Sequence, residues 1–523
     1  MKKINIIMVL AGILMVLTSC NEFLDKLPDD RANLNSEEKI SMLLTDAYGS
    51  RNNAFIHEFS SDNIAYNGNT YVAQPNQEQN YMWINVTSES NDDPRSLWND
   101  YYSAVGTANA ALDGIAELGN PASLNGQRAE ALLCRAWAMF RLANMFCMAY
   151  DPTHPEYLGL PYPKVSGVSV DERGTQEELW ANINADIEEA LPMVSEGHLK
   201  VPKYHFNLKA AYAFAARFNL FYHNYDKAIE YATKAIGENP TSLLRDWKRF
   251  KTLGSADIGN DFIKSSDPAN LMLHTAYSIY GRSLYSSNYR RYGHSNVIYN
   301  YETWYASTMW GVSSGSTSAY VTSLYGSSPN YRFPRISEFF EYTDKVAGTG
   351  YAHIVDAPFT SGETLLVRAE AYALKKDFGK AIRDMQYWLS TFCDPSSRYY
   401  PTLTEDNIVE FMTGLNYAPA IPEGNLQRSI RKQLHPQGFT LDEDGSTQEC
   451  IVNLILHMRR VETCHTGNRF NDIKRYGIEF CHPNPDNPSP KEGDPEVFVQ
   501  GDLRGAKQLP NDVITAGLEA NPR

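Results

Sequence analysis

Two stretches of this chain share a pattern that leaves little choice of architecture. Ala210 to Ile236 reads AAYAFAARFNLFYHNYDKAIEYATKAI, and Thr364 to Phe392 begins TLLVRAEAYALKKDFGKAIRDM. Each is an Ala-rich helical run, a short polar turn carrying an aromatic, and then Lys-Ala-Ile. They superimpose at one constant offset, Phe378 falling on Tyr225 and Ala381 on Ala228. Small residues at the crossing of two antiparallel helices mark a tetratricopeptide-like unit. Such a unit cannot bury its apolar face alone, so copies must stack. Arg128 to Phe146 (RAEALLCRAWAMFRLANMF) has the same character, with Leu132, Ala136, Met139, Ala143 and Phe146 on one face. Ala129, Ala136 and Ala143 admit a closely packed neighbour. The expected fold is mainly α, a tetratricopeptide-like helical-repeat scaffold with a large irregular, aromatic-rich insertion.

The rest of the chain is read around these units. Asn35 with Glu38 forms a capping box opening a helix through Tyr48, and Thr175 with Glu178 forms another, opening a helix that stops near Pro192. Arg95 to Leu118 is a helix whose stripe includes Leu97, Trp98 and Tyr101, which places Trp98 in the core. Asn52 to Asn91 has no helical period and reads as irregular. Leu253 to Tyr351 is rich in Ser, Gly, Asn and Tyr. Tyr277 to Tyr331 alone holds 11 Tyr and 2 Trp, about double the 12% aromatic average of the chain. Irregular insertions of this length are functional or disordered, and this aromatic density argues against disorder. The scaffold is expected over 35–250 and 362–480, the insertion over about 251–361 and a Pro/Asn-rich tail over 481–523, all in one domain spanning 20–523.

The N-terminus gives an address. Lys2 and Lys3 precede an apolar run from Ile6 to Leu17, too short for a spanning helix and right for a signal peptide over 1–19. It ends Leu17-Thr18-Ser19-Cys20. A small residue before Cys, with Leu at the third position back, resembles a bacterial lipobox. That resemblance makes Cys20 the lipidated first residue of a tethered protein. The net charge of −15 speaks against nucleic acid as a partner. The seven cysteines contain no CxxC and no disulfide framework; Cys134 and Cys147 lie in a helical stretch and read as small core residues.

Several of these stretches together resemble the SusD/RagB family of outer-membrane lipoproteins from Bacteroidetes nutrient-uptake systems. They are Cys20 with Phe23-Leu24-Asp25, the helix 128–146, the two repeat segments, and Arg459-Arg460-Val461-Glu462 with Gly467-x-Arg469-Phe470-x-Asp472-Ile473-Lys474-Arg475-Tyr476-Gly477. Gln508-Leu509-Pro510 and Asn521-Pro522 resemble the family's ending. Phe470 and Tyr476 replace the family's Trp; Met458 and Thr466 stand where Glu is usual. The resemblance implies a non-catalytic cell-surface lipoprotein, facing outward from the outer membrane, without cofactor. It would bind glycan oligomers or polysaccharide and deliver them to a SusC-like TonB-dependent transporter. The same architecture serving peptide uptake, or a surface glycoside hydrolase, are the alternatives.

No family binding residue maps by motif, so the ligand surface is argued from chemistry. Pyranose rings present apolar C–H faces that an indole or phenol can cover. The expected platforms are Trp304, Tyr305, Trp310, Tyr301 and Tyr289, then Trp83 and Tyr81, with Asn80, Asn296 and Arg291 as polar partners. Gly311-Val312-Ser313-Ser314-Gly315 matches G-x-S-x-G but lacks the strand and helix a nucleophile elbow requires. His457, Cys464, His465, Cys481 and His482 match no common zinc spacing. No catalytic and no metal residue is expected.

Overall fold

The computed structural model describes residues 34–167, 172–285, 288–312, 315–321 and 325–523. The signal, Cys20 and Ser313–Ser314 lie outside the described residues. The scaffold is a run of antiparallel helices. Pro94–Glu117 packs on Asn125–Phe146, which packs on Gln176–Ala190. Leu208–Phe221 packs on Tyr225–Ile236, then Ser361–Leu374, then Phe378–Phe392. The fold class expected from the repeats holds. The insertion leaves the stack after Ile236 and the chain re-enters it at Ser361.

The helix Asn125–Phe146 is buried on nearly all sides, not on one stripe alone. Its alanines let neighbours approach, and its buried arginines are held by partners on other elements. Arg135 forks onto Asp186 with two bonds of 2.7 Å. Arg141 lies 3.7 Å from the ring centre of Trp137 and 4.1 Å from that of Tyr101. Trp98 is buried edge-on against Phe146, as its stripe predicted. The Thr175–Glu178 capping box is present. At the first helix the cap falls one residue later than read: Ser36 accepts from the Lys39 amide, and Glu37–Leu43 is followed by a 3-10 turn, Leu44–Tyr48. The stretch 52–91 is more ordered than its polarity suggests, with helices Ala54–Phe59 and Pro75–Tyr81.

Glu130 fastens this helix to its surroundings. Its carboxylate accepts from the Tyr48 hydroxyl at 2.6 Å and faces His198 Nε2 at 2.8 Å and His205 Nδ1 at 2.7 Å. Burial alone would raise its pKa; the three donors outweigh burial and hold it at about 2, against an ordinary 4.5. The stabilisation is therefore full above pH ~4.5 and is lost as pH falls towards 2, a contribution of about 3 kcal/mol. In urea unfolding at a series of pH values, the gap between the wild type and Glu130→Gln should close over that window. A gap that stays constant with pH would show that the charge of Glu130 is not what matters.

One difference lies inside the insertion, which holds a three-stranded antiparallel sheet as well as loops. Thr349–Thr360 pairs with Asn270–Tyr277 on one side and Glu338–Asp344 on the other. Asn270 to His274 are buried in succession, so this strand, covered on both faces, shows no alternation in sequence. The late motif forms two helices, Thr447–Glu462 and Asn468–Tyr476, and its charges lock distant parts together. Arg459 meets Asp472 and Glu370. Arg475 and the Tyr476 hydroxyl meet Glu370. Lys474 donates to the carbonyls of Asn144 and Cys147, capping the helix Asn125–Phe146.

Candidate functional site

Two stretches that the sequence left as separate candidates meet in the structure. Ala65–Tyr66 pairs antiparallel with Tyr292–Gly293, and the Asn67 side-chain amide donates to the carbonyl of Arg290 and to Asn330 Oδ1. Beside this seam opens a cleft of about 240 Å³. Four segments wall it: Asp62 to Asn67, Ser295 to Glu302, Ala418 to Lys432, and Phe480 to Pro483. Tyr66 and Tyr81 line it. From Tyr66 an aromatic stack runs inward. Ring centres are 6.0 Å apart from Tyr66 to Tyr292, 4.4 Å from Tyr292 to Tyr81, 3.9 Å from Tyr81 to His482 and 4.4 Å from His482 to Trp83. The stack ends beneath Arg504, at a second cleft of about 350 Å³ walled by Trp83 to Arg95 on one side and the C-terminal tail on the other.

The short helix Asn296–Tyr301 opens with Ser295, whose hydroxyl accepts from the Ile298 amide. Val297 and Ile298 line the cleft. Tyr301 lies one turn on from them and so on the same face; it is 37% exposed. Tyr305 is half-buried, 5.1 Å from Tyr299, which stacks on Tyr331 at 4.8 Å. Tyr289 is half-buried.

Four of the expected platforms are placed differently. Trp304 stacks on Phe333 at 5.1 Å, with Trp247 and Phe392 around it. Trp310 stacks on His457 and abuts Trp388 and Phe392. Trp83 is clamped by His482, and its indole donates to the Ser60 carbonyl. Tyr81 lies between His482 and Tyr292 with its hydroxyl on the Pro483 carbonyl. All four are buried with protein rings packed on them; Trp304 and Trp310 line neither cleft, against expectation, whereas Tyr81 lines the first and Trp83 the second. Two of the polar candidates are likewise spent on protein: Asn80 is buried and Arg291 donates to the Tyr71 carbonyl. Asn296 is exposed.

What the sequence did not single out is the charge at the cleft floor. Glu302 meets Arg428 at 2.5 Å, Lys432 at 3.0 Å and Arg460 at 3.2 Å. Asp62 accepts from Nε and Nη2 of Arg469, each at 2.8 Å, and lies 3.4 Å from Arg460. Burial would raise both carboxyls. The cations win, holding Glu302 at about 2 and Asp62 far below the ordinary carboxylate range. No local spacing could have shown this, because its members come from five distant segments.

Among the described residues one trio, Glu58, Cys464 and His465, brings metal-type donors together. It is wholly buried, and Glu58 already accepts from Asn63, from the amides of His465 and Gly467, and faces His465 Nδ1 at 3.1 Å. It is a clamp between two segments.

A family model described as SusD-like, starch-binding and associating with the outer membrane, matches residues 22–220. A SusD-like protein of Formosa agariphila is 26% identical over 265 residues, 48% of this chain and 49% of the relative. A solved structure from Bacteroides vulgatus ATCC 8482 superimposes with a TM-score of 0.65 at 15% identity, covering 94% of this chain and 99% of that one. Residues 22–220 are thus similar to the SusD-like family, and the fold similarity runs beyond them. A SusD superfamily structure from Bacteroides thetaiotaomicron matches with a TM-score of 0.60 at 16% identity, over 92% of this chain and 98% of that one. The curated relative is matched over about half its length, whereas the SusD-like fold extends over nearly the whole chain. No helix among the described residues is long and apolar enough to cross a membrane.

Proposed function

We propose that this protein is a non-catalytic surface lipoprotein, anchored through Cys20 to the outer membrane. It binds glycan oligomers or polysaccharide and hands them to a SusC-like TonB-dependent transporter. The observation that carries the reading is the cleft at the 65–66/292–293 seam, where Tyr66, Val297 and Ile298 flank buried polar groups and Tyr301 lies on the same helix face as Val297 and Ile298. An apolar ring edged by convergent polar groups is what a pyranose needs. The family description, starch-binding and associating with the outer membrane, supports the same reading.

The cleft's carboxylates support a binding role over hydrolysis. A glycosidase needs one carboxyl held protonated near neutral pH as general acid. Asp62 and Glu302 are instead both held ionised by arginine and lysine.

The mature protein, titrated calorimetrically against a panel of polysaccharides and peptide mixtures with product release followed, tests this. Tyr66→Ala and Tyr301→Ala are each expected to weaken glycan binding about tenfold, the loss of ~1.4 kcal/mol of stacking, with unchanged circular dichroism. Hydrolysis would refute the non-catalytic reading. Peptide binding with silence on every glycan would move the protein to peptide uptake.

A further inference from the structure

We infer that the cleft at this seam takes a saccharide bearing a negative charge, a uronate carboxylate or a sulfate ester, with Arg428 as its anchor. This rests on the glycan-binding reading and specifies its ligand. The whole chain carries a net charge of −15, yet the cleft floor and the layer directly behind it gather four cations, Arg428, Lys432, Arg460 and Arg469, around two carboxylates, Asp62 and Glu302. Asp472 also acts on Arg469 but is itself paired with Arg459 and Arg475. The Cys481 thiol on the wall is pushed up to about 11 by burial and stays neutral, and burial keeps His294 uncharged.

The cations are not equivalent. Arg469 and Arg460 lie buried behind the wall, with Arg469 forked onto Asp62 and Arg460 bonded to Asn63 and to the Asp62 carbonyl. Lys432 is nearly buried and is held by Glu302. Arg428 lines the cleft with its side chain 27% exposed. It spends one terminal nitrogen on Glu302, and the rest of its guanidinium has no protein partner among the described residues. Glu302 thus fixes the plane of a fork whose remaining donors stand at the opening. A planar fork with free parallel N–H groups matches a carboxylate or sulfate, which it binds bidentately.

Burying that fork under a neutral sugar would strip its water without replacing the lost charge interaction. An anionic sugar removes that cost. The low-dielectric walls, including Ile298, Tyr81 and Phe480, strengthen the local field. The chain's overall negative charge does not cancel it, because exposed charges more than about 10 Å away are screened at physiological salt.

The experiment is calorimetric titration of the mature protein with four probes: tetragalacturonate, a chondroitin sulfate tetrasaccharide, maltohexaose and a pentaglutamate peptide. At least one acidic sugar is expected to bind about tenfold or more tighter than maltohexaose, and to weaken as salt rises, since the contact is ionic. Arg428→Gln should remove that preference, about tenfold in Kd, with an unchanged melting temperature, and Arg428→Lys should retain part of it. Maltohexaose bound as tightly as the acidic sugars, with Arg428→Gln silent, would overturn the anionic ligand and leave the glycan reading standing. Acidic sugar binding indifferent to Arg428→Gln would overturn the site. Pentaglutamate bound as tightly through Arg428 would overturn the saccharide class. Silence on all four probes would overturn the inference and count against glycan binding itself.

Discussion

Replacing Arg368 with methionine is expected to destabilise the protein by about 3–5 kcal/mol, because it leaves a buried carboxylate without its partner. Arg368 and Asp384 are both fully buried, joined by bonds of 2.6 and 3.0 Å. The same guanidinium donates to Thr233 and to the carbonyls of Gly237 and Glu238 at the end of the helix Tyr225–Ile236. It therefore does two jobs. Within its own helix pair it joins Ser361–Leu374 to Phe378–Phe392. Across the break in the repeats it caps the last helix before the insertion with a residue from the first helix after it. Arg383 approaches Asp384 at 3.3 Å and is too far round the helix to replace the buried fork. The double variant Arg368→Met with Asp384→Leu removes the stranded charge and should recover at least half the loss, since apolar replacement of a whole buried pair is often near neutral. Urea midpoints of the two single variants and the double variant measure the coupling. A single-variant loss under about 1 kcal/mol would mean the pair does not hold the two halves of the stack together.

The repeats were legible because their signal is local. Ala210 to Ile236 and Thr364 to Phe392 each state their own helix spacing, turn and crossing residues, and no distant partner is needed to read them. The sheet in the insertion was not legible for the opposite reason. Asn270 to His274 are covered on both faces, and their partner strand begins at Thr349. The same physics divides the candidate site. That aromatics of 66–83 and 277–331 converge was half-visible as density, but the pairing of Tyr66 with Tyr292 depends on a contact across more than two hundred residues. The charged floor is wholly long-range: Asp62, Glu302, Arg428, Lys432, Arg460 and Arg469 have no common period or motif. The late motif did contain Arg460 and Arg469, but a motif does not say which carboxylates its arginines meet.

Aromatic density could not distinguish a platform from a packing residue, and this ambiguity sets up the second large effect. Trp304→Ala is expected to cost about 3–5 kcal/mol of stability, the range for truncating a large aromatic in a core. Its indole is stacked on Phe333 and enclosed by Trp247 and Phe392, so truncation opens a cavity where the insertion meets the helix Phe378–Phe392. The indole N–H has no hydrogen-bond partner among the described residues. Trp304→Phe therefore breaks no bond, keeps the stack, and should cost under about 1.5 kcal/mol. Tyr301→Ala provides the contrast, because Tyr301 is exposed and its removal should move the urea midpoint by no more than about 0.5 kcal/mol while weakening glycan binding. The two residues are three positions apart, so the pair separates packing from recognition within one turn of chain. Binding is compared at a temperature where every variant is folded by circular dichroism. If Trp304→Ala kept its stability and lost binding selectively, the indole would have to leave its cage to meet the ligand, and the insertion would be a moving part of the site instead of its fixed wall.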